Sequence, residues 1–152
     1  MIKMFLGLKE DLSDCCKALE NSMLFDEYFK DVQKCKSVIL EGIEKEEIYI
    51  AKDENGNIIG FMRIDDVGMF SKFPFLRLIA VKYEYRCKGF GTKLLGFYET
   101  KFKNKSDRVF LCVSSFNEKA KKLYKSVGYN EIGKIDGLYK KGKTEYIMMK
   151  EI

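Results

Sequence analysis

Histidine and tryptophan are both absent from the 152-residue chain. Without an imidazole, neither a Ser-His-Asp nor a Cys-His nucleophile can be assembled, and the commonest transition-metal ligand is missing. Proton transfer therefore falls to Glu, Asp, Tyr, Lys, Cys or water. Proline occurs once, at Pro74, and there is no low-complexity tract, internal repeat or linker, so the sequence predicts one domain over 1–152. No run approaches the roughly 18 apolar residues of a membrane span, and the opening MIKMFLGLKEDLSD turns charged before an export-type apolar segment develops. A cytoplasmic protein with no membrane partner is expected. The cysteines (Cys15, Cys16, Cys35, Cys87, Cys112) are odd in number and lack CxxC spacing, so reduced thiols are expected, with neither a disulfide framework nor a metal.

Residues that are 46% hydrophobic and 34% charged suffice for a globular core. The net charge of +5 is uneven: residues 1–81 hold 11 Lys/Arg against 15 Asp/Glu, a balance of −4, and residues 82–152 hold 17 against 8, a balance of +9. An anionic ligand on the C-terminal half and a merely solvated lysine surface both fit this asymmetry.

After a short strand at residues 2–6, Leu12, Cys15 or Cys16, Leu19 and Met23 recur at helical spacing, and Phe25, Phe29, Val32, Ile39 and Ile43 do so again, predicting two helices. Two β-rich runs then flank Asn55-Gly56, the signature of a type I′ hairpin. FLRLIAV (75–81) reads as a buried strand. A glycine-containing loop follows, then a helix with Leu94, Leu95, Tyr98 and Phe102 on one face. RVFLCV (108–113) is a further strand, and Ser115 with Glu118 three residues on resembles a capping box opening a helix that Gly128 ends. Two strands, around 131–135 and 144–150, close the chain. The order β-α-α-β-β-β-α-β-α-β-β implies a mixed α/β sheet covered by helices.

The segment Arg86-Cys87-Lys88-Gly89-Phe90-Gly91-Thr92 joins a strand to a helix. Amides at the start of that helix would lack intrahelical partners, the two glycines permit close backbone approach, and Arg86 and Lys88 add mobile positive charge: a loop suited to a phosphate. It is not a Walker A loop, since GxxxxGK[ST] is absent, and it misses the dinucleotide fingerprint because Leu94 stands at the third glycine position.

Arg86-x-x-Gly89-x-Gly91 after Ile79-Ala80-Val81 does resemble the pyrophosphate loop of the GNAT superfamily of acetyl-CoA-dependent N-acetyltransferases, [QR]xxGx[GA]. Some 25 residues on, Asn117-x-x-Ala120-x-x-Leu123-Tyr124-x-x-x-Gly128-Tyr129 is similar to the family's NxxAxxLYxxxGF segment. The resemblance covers essentially the whole chain, most loosely over residues 1–45. It implies a GNAT-like mixed, mostly antiparallel sheet of six to seven strands with about four helices and a splayed parallel strand pair. The cosubstrate would be acetyl-CoA, with the pantetheine arm along the backbone of Ile79, Ala80 and Val81. The pyrophosphate would sit on the amides of Cys87, Lys88, Gly89, Phe90, Gly91 and Thr92 beside Arg86, and Asn117 would bond the arm or simply cap its helix. Tyr124 would be the acid facing the departing thiolate.

For the general base the sequence departs from well-known members: a glutamate five residues before the asparagine is here Cys112, and the bases on the strand before the loop correspond to Phe75 and Arg77. Glu84 is the candidate base, with Asp65, Asp66 and Glu145 as other carboxylates, all expected on the surface. Cys87 and Cys112 have no imidazole to activate them and are read as packing residues. The acceptor would be an amine of a small molecule or a protein, with Tyr28, Tyr139 and Tyr146 as candidate walls, and the protein a monomer or homodimer. Two rivals remain: an acetyl-CoA sensor without turnover, and a basic module for nucleic acid, which no RRM, KH or helix-turn-helix signature supports.

Overall fold

Residues 1–152 are all described by a computed structural model. Apolar positions at helical spacing form α1 (Leu12–Leu19), α2 (Val32–Glu44), α3 (Phe90–Phe102) and α4 (Glu118–Ser126). Alternating or continuous apolar runs form β1 (Lys3–Leu6), β2 (Ile48–Lys52), β3 (Ile58–Met69), β4 (Phe73–Val81), β5 (Arg108–Ser114), β6 (Asn130–Asp136) and β7 (Thr144–Glu151). The hydrogen-bonded strand order is β1-β2-β3-β4-β5-β7-β6. Pairs β1–β2, β2–β3, β5–β7 and β6–β7 are antiparallel, whereas β4 and β5 are parallel. This is the mixed sheet that the element order implies, mostly antiparallel and of six to seven strands as the resemblance implies.

The chain forms two compact units, Met1–Ile64 with Leu78–Leu95, and Asp65–Arg77 with Gly96–Ile152, so β3, β4 and α3 each contribute residues to both. In the first, α1 and α2 bury Cys15, Leu19, Cys35 and Ile39 against Ile48, Ile50 and Phe61. Burial pushes the Cys15 and Cys35 thiols well above the usual range, which makes them inert packing groups. The buried Arg63 is matched by Glu47 at 2.6 Å and the Val38 carbonyl at 3.0 Å. In the second unit the Tyr98 hydroxyl donates to the Phe110 carbonyl at 2.9 Å, tying α3 to β5, and Val109, Leu111 and Met148 are buried.

Four local expectations are corrected. Phe25 and Phe29 do not belong to α2: they lie in a separate π-helical turn, and Lys30 at φ 63° breaks the chain before Asp31 caps α2 by accepting from the Lys34 amide at 2.7 Å. The first helix ends at Leu19, before Met23. The Asn55-Gly56 hairpin forms, but only Gly56 has positive φ (83°); the Asp53 carboxylate accepts from the Asn55 and Asn57 amides and gathers a longer loop in place of a type I′ turn. Two consecutive positive φ angles occur instead at Phe70 (56°) and Ser71 (54°), joining β3 to β4, where an edge-on contact of Phe70 with Phe110 (centroids 6.3 Å apart) offsets the unfavourable backbone. Finally, the cap of α4 is Asn117, whose Oδ1 accepts from the Ala120 amide at 3.2 Å, while Ser115 Oγ accepts from Thr144 N at 3.3 Å.

Candidate active site

In the first unit the end of β4 leads into the loop. Gly60 on β3 is obligatory beside it, since a Cβ there would stand 2.3 Å from the Ala80 carbonyl oxygen. Ile79, Ala80 and Val81 are half-buried, and the Lys82 amide donates to the Ile59 carbonyl at 2.8 Å. A single helical turn, Tyr83–Tyr85, then turns the chain toward Arg86.

Arg86 is not the mobile cation that the sequence suggests. Its Nε donates to the Val81 carbonyl at 2.8 Å, one terminal nitrogen to Asn21 O at 2.6 Å, and the other to Ala18 O at 3.1 Å and Glu20 O at 2.8 Å. Four of the five guanidinium N–H donors thus hold the carbonyls at the end of α1 and the end of β4, where the helix dipole favours a cation. Its charge stands beside the loop, but its geometry is that of a clamp. Lys88 is also directed by backbone, with Nζ 2.8 Å from the Glu84 carbonyl oxygen.

Cys87 (φ 61°) and Gly89 (φ 81°) take left-handed conformations on either side of Lys88, and a Cβ at Gly89 would meet nothing within 4 Å. Alternating hand of this kind turns successive amides toward one side. The Lys93 amide is bonded to the Gly89 carbonyl at 3.3 Å, so the amides of Phe90, Gly91 and Thr92 at the start of α3 have no intrahelical partner. The exposed Cys87 and Gly89 and this helix start form a cradle suited to a pyrophosphate. The candidate base Glu84 lies on the preceding turn with its side chain exposed.

In the second unit the parallel ladder between β4 and β5 has two pairs, Phe75 with Phe110 and Leu76 with Leu111. Asn117 uses Oδ1 for its helix cap, which leaves its amide N–H donors for another partner. α4 ends in a Schellman motif, with Gly128 N bonded to Lys125 O at 3.1 Å and Tyr129 N to Tyr124 O at 3.0 Å; Gly128 supplies the required φ of 102°. The motif fixes Tyr124, 6% exposed, edge-on to Tyr129 with centroids 6.1 Å apart. Burial raises the Tyr124 pKa above the usual phenol range, so the group keeps its proton at neutral pH.

The four carboxylates separate clearly. Asp65 is paired with Arg77 at 2.8 Å and Asp66 with Lys101 at 3.5 Å. Glu145 is not on the surface: it is 3% exposed on β7, opposite Ser114 of β5, whose hydroxyl donates to Oε1. Cys112, on the same face of β5 as Ser114, is pushed up to about 11 by burial and then by the charge of Glu145. Such a thiol is a poor nucleophile and a poor base at neutral pH. The β period carries no signal for this burial: Glu145 is in phase with the half-exposed Ile147 and Met149 and out of phase with the buried Met148. Tyr146 faces the other way, with Lys121 Nζ of α4 3.3 Å from its ring centroid. Tyr28 is half-buried in the first unit, whereas Tyr139 is exposed on the β6–β7 connection. No group of three or more Cys, Asp or Glu is arranged to hold a metal ion.

A family model described as the acetyltransferase (GNAT) family matches residues 8–129. Among curated proteins none matches in sequence. Solved structures do match in fold: a GNAT acetyltransferase from Bacillus cereus is 22% identical with a TM-score of 0.76, covering 99% of this chain and 97% of its own. Ard1 from Thermoplasma volcanium is 19% identical with a TM-score of 0.81, covering 99% and 97%. A spermidine/spermine N-acetyltransferase from Vibrio cholerae is 18% identical with a TM-score of 0.71, covering 97% and 91%.

Proposed function

The chain belongs to the acetyltransferase (GNAT) family, and on that premise we propose that residues 1–152 act as one catalytic domain that transfers the acetyl group of acetyl-CoA directly to a primary amine. The observation that carries this reading is the cradle itself: left-handed Cys87 and Gly89 leading into first-turn amides of α3 that have no intrahelical partner. Acetyl-CoA supplies an activated thioester, and the protein supplies orientation and proton management.

In this reading the amides from Cys87 to Thr92 receive the pyrophosphate. Arg86 acts mainly by holding the loop in shape, because its donors are engaged by backbone carbonyls. The backbone of Ile79, Ala80 and Val81 receives the pantetheine arm as an added strand, and the Val81 N–H faces the developing negative charge on the thioester oxygen. Asn117 donates from its free amide hydrogens. The Tyr124 phenol donates a hydrogen bond to the departing sulfur. With its pKa raised well above the roughly 8.5 of an ordinary thiol, it stabilises the thiolate more than it surrenders a proton. Glu84, the sequence's candidate base, is a carboxylate on an exposed turn, open to solvent.

The acceptor in this proposal is a small amine or a protein amine. The match in fold to a spermidine/spermine acetyltransferase, and the −4 balance of residues 1–81, favour a cationic small molecule. A cytoplasmic location fits five free cysteines and a chain in which no helix is long and apolar enough to cross a membrane.

Thermal unfolding with acetyl-CoA, CoA, NAD, ATP and a short oligonucleotide tests the binding half of the proposal. A ligand at 100 times its Kd adds about 2.7 kcal/mol, worth roughly 2–4 °C per kcal/mol for a chain of this size. Stabilisation by acetyl-CoA and CoA well beyond that by NAD or ATP is expected. Stabilisation by the oligonucleotide alone, or by none of the five, would contradict it.

A further inference from the structure

We propose that Glu145 is the residue that receives the acceptor's ammonium group and takes its proton, with Ser114 as the positioning residue that holds the carboxylate in place. The inference rests on the acetyl-transfer reading above and deepens it by naming the base and the charge state of the acceptor.

An amine presented as R–NH3+ has no lone pair, so a proton must leave before the nitrogen can attack. The chain has no histidine to accept it. Cys112 is pushed up to about 11 and remains a thiol, and the Tyr139 phenol is raised, by partial desolvation and then by the nearby Cys112 and Glu145, with Arg77 opposing. Asp65 and Asp66 are bound to Arg77 and Lys101. Glu84 is exposed on a turn, where nothing positions it. Glu145 is set apart by its burial and its place on a strand.

Glu145 is 3% exposed, fixed on a strand of the sheet, and oriented through Oε1 by the Ser114 hydroxyl directly opposite. The neighbouring positions on its face of β5 and β7 are Cys112 and Ile147, a half-exposed thiol and a half-exposed apolar side chain, so the carboxylate is recessed at the edge of a partly exposed patch. Cys112 of β5 and Tyr139 of the β6–β7 connection both feel the charge of Glu145, and Arg77 of β4 acts on Tyr139 in the opposite sense. A recessed anion attracts an ammonium more strongly than an exposed one, because less solvent screens it.

An N–H bond of R–NH3+ breaks and its proton passes to the Glu145 carboxylate. The freed lone pair forms the N–C bond to the acetyl carbon while the C–S bond breaks and sulfur leaves with the electron pair. The second nitrogen proton neutralises the thiolate, and Glu145 returns its proton to water, giving the amide, the thiol and one released proton.

Glu145→Gln keeps the shape and can still accept from Ser114, but it cannot take a proton. With the best alkylamine of an amine panel as acceptor, kcat/KM at neutral pH is expected to fall at least tenfold. With hydroxylamine, already neutral at that pH, the fall is expected to stay within about threefold. Stabilisation by acetyl-CoA is expected to be retained, and Glu145→Asp to recover part of the alkylamine rate, a rescue that a purely structural role would not produce. Equal losses on both acceptors, or no loss on either, would overturn the assignment while leaving acetyl transfer standing. A wild-type protein that acetylates no amine would instead remove the premise.

Discussion

Tyr124→Phe is expected to lower kcat at least about tenfold, toward the hundredfold scale typical of a lost catalytic proton donor, while leaving acetyl-CoA affinity unchanged. α4 is held at its N-terminus by the Asn117 cap and at its C-terminus by the Schellman bonds around Gly128, so the Tyr124 ring has little freedom, and it packs edge-on to Tyr129. Removing one oxygen from a ring this buried leaves the packing intact. The unfolding temperature should therefore move little, which separates a chemical loss from a structural one. Because burial raises the pKa, the phenol is fully protonated throughout the neutral range, and the wild-type rate should show no loss from Tyr124 ionisation as pH rises through 9. Measuring kcat and KM for both cosubstrates with the two proteins checks this. Unchanged turnover in the Phe variant would remove Tyr124 from the reaction.

Arg86→Lys should be destabilising although the charge is kept. The guanidinium reaches four carbonyls, those of Ala18, Glu20, Asn21 and Val81, from one planar fork, and an ammonium cannot span them. Losing these charge-assisted bonds at a partly exposed site should cost about 2–4 kcal/mol, after allowing for water replacing some of them. That corresponds to a fall of roughly 5–10 °C in Tm for a chain of this length. Acetyl-CoA affinity should fall with it, because the clamp sets where the loop begins. If Arg86 acted only as a charge for the pyrophosphate, Lys would preserve both quantities.

The architecture was legible where a pattern repeats over many residues. The face of α3 carrying Leu94, Leu95, Tyr98 and Phe102 is buried as its spacing requires; the strands expected at 2–6, 108–113, 131–135 and 144–150 lie within a residue of the observed bounds, whereas β4 starts two residues earlier than expected, at Phe73. What the sequence hid was set by single side chains meeting distant backbone. Nothing local to Arg86 reveals that three of its four partners lie near residue 20, and a lone arginine beside a glycine loop reads as a phosphate ligand. Asp53 redirected the Asn55-Gly56 turn by accepting two amides, a competition that dipeptide preferences do not weigh. Phe70 and Ser71 took the consecutive positive φ angles without any glycine to announce them, since the ring contact with Phe110 comes from a strand nearly forty residues on. A carboxylate on a two-residue period beside half-exposed Ile147 and Met149 reads as a surface group, and only the distant Ser114 hydroxyl across the β5–β7 ladder accounts for its burial.

The central claim is that this fold moves an acetyl group from sulfur to nitrogen. Incubation of the purified protein with acetyl-CoA carrying an isotopically labelled acetyl group and a panel of primary amines, spermidine and short peptides among them, tests it directly, with mass spectrometry of the products and parallel measurement of released thiol. The account predicts labelled N-acetyl product equal in amount to the thiol released. Thiol release without acetylated amine, or no reaction from a protein that binds acetyl-CoA, would contradict it and leave a cosubstrate-binding domain without transfer.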